Sequence, residues 1–234
     1  MTSHHPHVFF DAADTLFRLS QPVGEAYSAI ASKHQWAVDP SVLNRAFTDT
    51  WAAYSDISPD YLACPSGEHA ECLWWQKLAT SIFEQAAQHP STQIGEPVSQ
   101  WFDQLFDHYA NASAWHLFCD TIPALNRLRD AGVPVHVLSN FDHRLEHILR
   151  GFGIIDKFAT ITTSSAAQAR KPNRASFDFA RAAAGSPSHC TLIGDDPIND
   201  RAGALAAGFN AILVDRKSGI DLMTITDQLL AQAL

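Results

Sequence analysis

Residues 8–16 read Val-Phe-Phe-Asp-Ala-Ala-Asp-Thr-Leu, a short apolar run that ends at Asp11. Short apolar runs of this kind are typical of buried strands. Comparable runs recur at 133–138, around 158–161, at 191–193 and at 211–214. Segments with helical spacing, each ending at a glycine, lie between them at 122–132, 145–153 and 202–208. This alternation predicts an α/β fold in which a parallel sheet carries helices on both faces.

A long helical interval interrupts the alternation between residue 16 and Val133. Pro22 and the pair Asp39-Pro40 are typical helix starts. Four apolar faces at helical spacing are Val23, Ala26, Tyr27 and Ile30; Leu43, Phe47 and Trp51; Trp74, Trp75, Leu78, Ala79, Ile82 and Phe83; and Val98, Trp101, Phe102, Leu105 and Tyr109. We therefore predict a helical domain of residues 17–112, inserted into an α/β core of residues 1–16 and 113–234. The aromatic stripe favours a bundle core over a substrate-stacking surface.

Composition excludes several classes of protein. The 234 residues include 16 Lys and Arg against 25 Asp and Glu, a formal net charge of -9. A chain this acidic, without a basic run, is not expected to bind nucleic acid, because binding needs Lys and Arg side chains that displace the counterions of the phosphates. No stretch approaches the about 18 apolar residues that span a membrane. Four scattered cysteines and the lack of a signal-peptide pattern predict a reduced, cytoplasmic protein.

Polar segments follow the predicted strands. In open parallel sheets the carboxyl ends of the strands form the ligand crevice, so these segments are the candidate site. They are Asp11 to Leu16, Ser139-Asn140, Lys171-Pro172 and Gly194 to Asp200. Each segment alone is a weak signal, because Asp, Gly and Pro are common in ordinary turns. Their combination and order carry the information.

In this order, with the helical insertion between the first and second segments, the sequence resembles the haloacid dehalogenase superfamily over nearly its whole length. The resemblance implies a Rossmann-like core with an inserted helical cap domain and a hydrolytic activity. Asp14 to Leu19, Pro22 to Tyr27 and Trp74-Trp75 are similar to segments of the haloacid dehalogenase-like hydrolase domain-containing proteins.

The resemblance assigns a nucleophile and a metal. Asp11 would attack the substrate and form an aspartyl intermediate that water later hydrolyses. Mg²⁺ suits a site of oxygen ligands that must also hold a phosphoryl group. Asp11, Asp195 and the main-chain carbonyl of Ala13 would bind the ion directly. Asp200 would bind it through water or hold the site in register.

The same resemblance assigns groups to the substrate, which would be a small phosphorylated metabolite. The Ser139 hydroxyl and the Asn140 backbone N–H would contact the phosphoryl oxygens. Lys171 would pair with the nucleophile and stabilise the developing charge. The alternative interpretation of Ser139 is a turn hydroxyl satisfied by its neighbours.

One position departs from the phosphatase pattern. Phosphatases of this superfamily carry a second Asp two residues after the nucleophile, which protonates the leaving group and then activates water. This chain has Ala13 there. Losing a general acid–base typically costs on the order of 10²–10⁴-fold in rate. Asp14 follows, but consecutive positions point in different directions, so we expect that it does not substitute.

Three functions are therefore compared. A slow or specialised Mg²⁺-dependent phosphatase comes first, because Gly194-Asp195-Asp196 with Asp200 indicates a cation site. A catalytically silent member that binds a phosphometabolite or a protein comes second. A 2-haloacid dehalogenase comes third. Its halide leaving group needs no proton, which fits Ala13, but its reaction has no use for the cation that the acidic residues indicate. The phosphonate-cleaving branch also has Ala at this position, but Lys33 and Lys77 are the only lysines of the insertion and neither is placed as its Schiff-base lysine.

Overall fold

The computed structural model describes residues 6–55 and 57–232. The chain divides into two compact units, unit 1 with Met1–Arg18 and His116–Leu234 and unit 2 with Leu19–Trp115. The boundaries predicted from the sequence, after residues 16 and 112, lie close to those after Arg18 and Trp115. Within the described ranges, no helix is both long and apolar enough to cross a membrane.

Strands and helices alternate along unit 1, whereas unit 2 is mainly helical. The strands are β1 (His7–Phe10), β2 (Phe17–Leu19), β3 (Trp115–Leu117), β4 (Val135–Ser139), β5 (Thr160–Thr163), β6 (Cys190–Gly194) and β7 (Asn210–Leu213). The α-helices are α1 (Val23–Ala31), α2 (Pro40–Tyr54), α3 (Gly67–Ala86), α4 (Phe102–His108), α5 (Thr121–Asp130), α6 (Arg144–Gly151), α7 (Ser164–Ala167), α8 (Arg174–Ala183), α9 (Gly203–Ala206) and α10 (Leu222–Gln232).

Five strands form one parallel sheet in the order β5-β4-β1-β6-β7. The central strand is β1, in which Phe10 pairs with Val137 of β4 and with Ile193 of β6. The strand order reverses direction beside β1, and ligands of open α/β sheets bind at such a switch point. This register brings the carboxyl ends of β1, β4 and β6 to one edge, with Asp11 at its centre.

Helices cover both faces of the sheet, which confirms the predicted fold class. On one face Phe9 and Leu192 belong to a buried cluster with Phe177 of α8 and Ala204 of α9. Side chains that alternate with these along the strands point to the other face, and Phe10 among them is also fully buried. The helix α5 packs against β4, and α10 packs against α5. The apolar runs therefore form strands because both of their faces lie in a core.

The aromatic residues of unit 2 form the core of that unit. Trp74 is buried in one cluster with Tyr27, Phe83 and Trp101. The Tyr27 and Phe83 rings stack with centroids 5.8 Å apart, and the Phe83 and Trp101 rings meet edge to face at 5.2 Å. Trp51 is 38% exposed at the edge of this cluster. Bundle packing thus accounts for most of the aromatic stripe.

Two details of the sequence-based prediction were wrong. The stripe from Val98 to Tyr109 is not one helix, because Trp101 leaves the helical region at φ -135° between a 3₁₀ turn and α4. The Trp101 indole donates to the Glu96 carbonyl at 3.1 Å beside this break. The interval from 17 to 112 is also not purely helical, since β2 begins at Phe17 and pairs with β3. Strands of three residues are too short to give a periodic signal.

A buried histidine lies in the sheet of unit 1. His136 of β4 is 2% exposed; its Nε2 lies 2.9 Å from His7 Nδ1 and its Nδ1 lies 2.8 Å from Thr160 Oγ1. Burial, with a smaller contribution from His7, lowers the pKa of His136 to about 4 from 6.5. The native state therefore holds this imidazole neutral at pH values where the unfolded chain protonates it.

This difference predicts acid sensitivity of unit 1. Because the folded pKa is the lower one, stability is fully present above about pH 6.5 and is lost as the pH falls towards 4. The shift corresponds to at most about 3 kcal/mol. We expect the free energy of unfolding, measured in urea, to depend less on pH between 6.5 and 4 in His136→Gln than in the unmodified protein. The exposed His116→Gln is the matched control, and equal pH profiles for all three proteins would contradict this account.

Candidate active site

The first site residue, Asp11, follows directly after β1. Its amide donates to the Ile193 carbonyl at 2.9 Å, which extends the β1–β6 pairing by one residue. Its side chain is largely buried, and Oδ1 accepts from Ser139 Oγ at 3.1 Å and from Lys171 Nζ at 2.6 Å. The parallel register thus brings Asp11 beside Ser139, and Lys171 joins them, so the three residues that the sequence predicted as catalytic lie together. It does not by itself assign their roles.

Lys171 reaches the site by a longer route than predicted. It was expected at a strand end, but it lies eight residues after Thr163, beyond the short helix α7. The Asn140 side chain holds it there: its Oδ1 accepts from the Lys171 amide at 2.7 Å, and its Nδ2 donates to the Lys171 carbonyl at 2.9 Å. Asn140, predicted to serve through its backbone N–H, therefore also positions Lys171 through its side chain.

The buried Lys171 ammonium also contacts Asp200 Oδ1 at 2.6 Å. Asp200 lies in a π-helix, Pro197–Ala202, that follows β6. Asp196 starts this helix by accepting from the amides of Ile198 and Asn199, both at 2.7 Å, and its own amide donates to Asp200 Oδ2 at 3.0 Å. Asp196 thus positions Asp200, a role that the sequence interpretation missed although Asp-Pro is a recognisable helix start.

Gly194 is required by the close approach of Asp200. A Cβ built on Gly194 would overlap the Asp200 carboxylate. We expect Gly194→Ala to lower the free energy of unfolding by about 1–3 kcal/mol, the usual cost of overpacking, as measured by urea titration. In an Asp200→Ala background the carboxylate is gone and only the Cβ of residue 200 still crowds the added methyl group, so the cost should be smaller. An equal cost in both backgrounds would show that this contact is not the reason for the glycine.

A third carboxylate, Asp195, completes an acidic cluster. Asp11, Asp195 and Asp200 each offer an oxygen, and these oxygens all lie within 4.8 Å of one another. Asp195 Oδ1 accepts from the buried Thr15 hydroxyl at 3.2 Å. The pairing of Ala13 with Phe17 uses the Ala12 carbonyl and the Asp14 amide, and so does not use the Ala13 carbonyl. These oxygen donors fit a hard divalent cation such as Mg²⁺.

The charges of the cluster are incompletely balanced. Burial raises the pKa of Asp11 to about 7, although Lys171 opposes this effect. Burial and the neighbouring Asp200 raise the pKa of Asp195 to about 6. Burial acts to lower the pKa of Lys171, but Asp11 and Asp200 outweigh it and the pKa rises. One ammonium therefore faces three carboxylates, an arrangement that an added cation would stabilise.

Asp14 adopts a left-handed backbone conformation, with φ 59°. Its amide donates to the Phe17 carbonyl at 2.6 Å and closes the turn. This φ favours glycine and is tolerated by Asp, which agrees with the glycine usual at this position of the pattern. The side chain is exposed, and its charge contributes to the raised pKa of Asp195. Asp14 is thus close enough to act on the charge of Asp195, and its left-handed backbone does not continue the extended conformation of β1.

Comparisons with known proteins identify relatives of this chain in sequence and in fold. The chain is 32% identical over 213 residues to human haloacid dehalogenase-like hydrolase domain-containing protein 3, covering 91% of this chain and 82% of that one. A phosphatase from Thermococcus onnurineus has a TM-score of 0.67 at 18% identity, covering 96% and 97% of the two chains. A 2-haloacid dehalogenase from Pseudomonas syringae has a TM-score of 0.64 at 20% identity, covering 98% and 100%. Residues 5–208 match the family model described as haloacid dehalogenase-like hydrolase. The chain therefore belongs to the haloacid dehalogenase-like hydrolase family.

Proposed function

We propose that the protein is a Mg²⁺-dependent phosphatase acting on a small phosphorylated metabolite through an aspartyl-phosphate on Asp11. The observation that carries the proposal is the position of Lys171 Nζ, 2.6 Å from Asp11 and 2.6 Å from Asp200, beside the third carboxylate of Asp195. A nucleophile, a fixed cation and a set of hard oxygen ligands are the groups that phosphoryl transfer needs.

The contacts of Asp11 indicate which oxygen attacks. Oδ1 accepts from both Ser139 and Lys171, which leaves Oδ2 as the nucleophilic atom. Lys171 is held from its main chain by Asn140, so its ammonium is preorganised for the charge that develops on the phosphoryl group. Ser139 would turn its hydroxyl from Asp11 to a phosphoryl oxygen when substrate binds.

The reaction proceeds in two displacements. In the first, Asp11 Oδ2 forms a bond to phosphorus and the ester P–O bond breaks, so that the alcohol oxygen leaves and takes a proton from solvent. In the second, a water oxygen attacks phosphorus, the Asp11 O–P bond breaks, and inorganic phosphate leaves with the carboxylate restored. Ala13 offers no acid for the first step, so alkyl esters should react slowly and aryl esters, whose leaving groups need little protonation, should react faster.

Asp11, Asp195 and the Ala13 carbonyl would hold Mg²⁺, with Asp200 kept in register by Lys171 and the Asp196 amide. When bound, the ion neutralises charge between the carboxylates and the phosphoryl group. The human relative and the fold do not decide between metal ions, so Mg²⁺ is proposed from the donor set alone.

The metal site predicts a Mg²⁺-dependent thermal shift. A ligand at about 100 times its Kd stabilises the folded state by about 2.7 kcal/mol, which corresponds to about 5–10 °C in a chain of this size. We expect the melting temperature of the unchanged protein to rise by this amount in millimolar Mg²⁺. The shift should be lost in Asp195→Asn.

Asp130→Asn is the control for this titration, because Asp130 is an exposed acid paired with Arg129. It should keep the full Mg²⁺ shift. An unchanged melting temperature of the unmodified protein at saturating Mg²⁺ would exclude the proposed metal site, and an equal shift in Asp195→Asn would place the ion elsewhere.

A second candidate is a catalytically silent member that binds a phosphorylated ligand or a protein. Ala13 favours it, because the general acid of the phosphatase motif is missing at this position. Mg²⁺ binding without hydrolysis of an aryl phosphate would support this candidate. The dehalogenase remains third: the phosphatase and the dehalogenase compared above share the fold about equally with this chain, whereas the acidic cluster favours a metal-dependent reaction.

A further inference from the structure

Arg216 reaches the loop that carries the proposed metal ligands. It begins a short 3₁₀ turn, Arg216–Ser218, after β7. Its Nη2 donates to the Thr15 carbonyl at 2.8 Å, and its Nη1 pairs with the largely buried Asp120. The guanidinium stacks on Phe118, 3.8 Å from the ring centroid. Three different contacts thus fix one side chain in a single orientation.

The next residue of the loop is held from the same side. The Leu16 carbonyl accepts from Thr121 Oγ1 at 2.7 Å and from the Phe118 amide at 3.1 Å. Two successive carbonyls after Asp14 therefore have donors from outside their own loop. We name the residues that supply these contacts the loop clamp: Arg216, Asp120, Phe118 and Thr121.

The clamp is itself anchored to the core of unit 1. The Asp120 carboxylate Oδ2 that pairs with Arg216 also accepts from the Leu222 amide at 2.8 Å, at the start of α10. Asp215, directly before Arg216, exchanges backbone hydrogen bonds with Ile220, both at 2.9 Å. The turn that presents Arg216 is therefore closed on itself and tied to a helix.

Thr15 connects the clamp to the acidic cluster. Its carbonyl accepts from Arg216, and its hydroxyl donates to Asp195 Oδ1 at 3.2 Å. Thr15 is fully buried, so solvent does not reach its carbonyl or its hydroxyl to replace either contact. A displacement of the Thr15 main chain would move the hydroxyl away from Asp195.

We propose that Arg216 is a positioning residue for the Mg²⁺ site: by holding the Thr15 carbonyl it places the Thr15 hydroxyl on Asp195. This inference rests on the proposed function, because it assigns Arg216 a task only if Asp195 binds the ion. In other proteins, removing a residue that orients a metal ligand without touching the metal typically lowers the metal affinity by about 10–100-fold. A lysine cannot donate to Thr15 and Asp120 with the same planar geometry, so Arg216→Lys should keep only part of the Mg²⁺ affinity.

The affinity test compares Arg216→Gln, Thr15→Val and the double variant. Isothermal calorimetry on the full chain measures the Kd for Mg²⁺ alone, without substrate. Each single change should weaken Mg²⁺ by about tenfold. The double variant should be no weaker than either single variant, because both act through the same hydroxyl–carboxylate contact.

Arg181→Gln is the matched control. Arg181 stacks on Phe209 at 4.7 Å, and its Nη2 donates to the carbonyls of Ala207 and Gly208, so it makes the same kinds of contact in the same unit. It has no contact with Thr15 or the acidic cluster. Its loss should lower the melting temperature while the Kd for Mg²⁺ stays within about twofold, since a purely structural effect acts on unfolding.

Hydrogen exchange of the metal-free protein tests the clamp without the metal. The amides of Asp14 and Leu16, which close the loop, should exchange faster in Arg216→Gln than in Arg181→Gln. Unchanged exchange in Arg216→Gln would overturn the clamp. Faster exchange with an unchanged Kd for Mg²⁺ would overturn the role of the clamp towards Asp195. Additive losses of Mg²⁺ affinity in the double variant would also overturn that role. If the unmodified protein gives neither heat nor a rise in melting temperature with Mg²⁺, the proposed function fails and the inference about Asp195 fails with it. That result differs from a clamp failure, because the exchange difference would still be seen.

Discussion

Replacing Asp11 with Asn is expected to lower kcat for an aryl phosphate by at least about 10³-fold, the scale seen when a covalent nucleophile is removed. The amide is close in size to the carboxylate but is a poor nucleophile. It also removes the negative charge that Lys171 contacts at 2.6 Å. Steady-state hydrolysis of p-nitrophenyl phosphate in saturating Mg²⁺ measures the effect.

The neighbouring Asp14→Asn is the control for this comparison, because Asp14 is exposed and lies in the same loop. It should retain the nucleophile and most of the aryl phosphatase activity. Comparable activity in Asp11→Asn and the unmodified protein would remove Asp11 from the mechanism. A loss in Asp14→Asn as large as that in Asp11→Asn would show that Asp14 takes part in the reaction.

Restoring the missing acid should raise the activity. In Ala13→Asp the new carboxyl group would stand two residues after the nucleophile, where a phosphatase of this family carries its acid. The gain in kcat/KM for an alkyl phosphate could approach about 10²-fold, whereas an aryl phosphate, which leaves without a proton, should gain much less. Both substrates are measured in saturating Mg²⁺, because an added carboxylate also changes metal affinity.

The double variant Ala13→Asp/Asp11→Asn controls for activity that does not pass through the nucleophile, and it should stay inactive. Equal gains on the alkyl and aryl substrates would contradict the role of Ala13 as the missing acid. No activity in either protein with Mg²⁺ bound would favour the silent member over the phosphatase.

The strands and the first site residues could be predicted because their signals are local. Each buried strand needs an apolar run, and the polar residue that ends the run lies at the edge of the sheet. This is why Asp11 at the end of β1 and Asp195 just beyond Gly194 of β6 were recognised from the sequence. The family resemblance then supplied the roles, which stay predictions; the structure shows that Ser139 and Lys171 both contact Asp11.

The parts that were missed depend on long-range contacts. Lys171 itself was predicted, but its position beyond α7 and its contact with the Asn140 side chain, 31 residues away, were not. Arg216 contacts Thr15 across 201 residues, so no local pattern indicates it. At the break in the helix, the Trp101 indole donates to the Glu96 carbonyl, a contact that the apolar spacing does not indicate. Periodicity reports which face of an element is buried, and it does not report these individual partners.

The most direct test of the account is to trap the phosphoryl group on Asp11. The unmodified protein is mixed with an aryl phosphate and Mg²⁺, quenched in acid within the first turnovers, digested and analysed by mass spectrometry. We expect one phosphoryl group on the peptide that contains Asp11, absent from Asp11→Asn and from a sample quenched before substrate is added. Release of phosphate by the unmodified protein with no phosphoryl group on that peptide, or with the group on another residue, would contradict it.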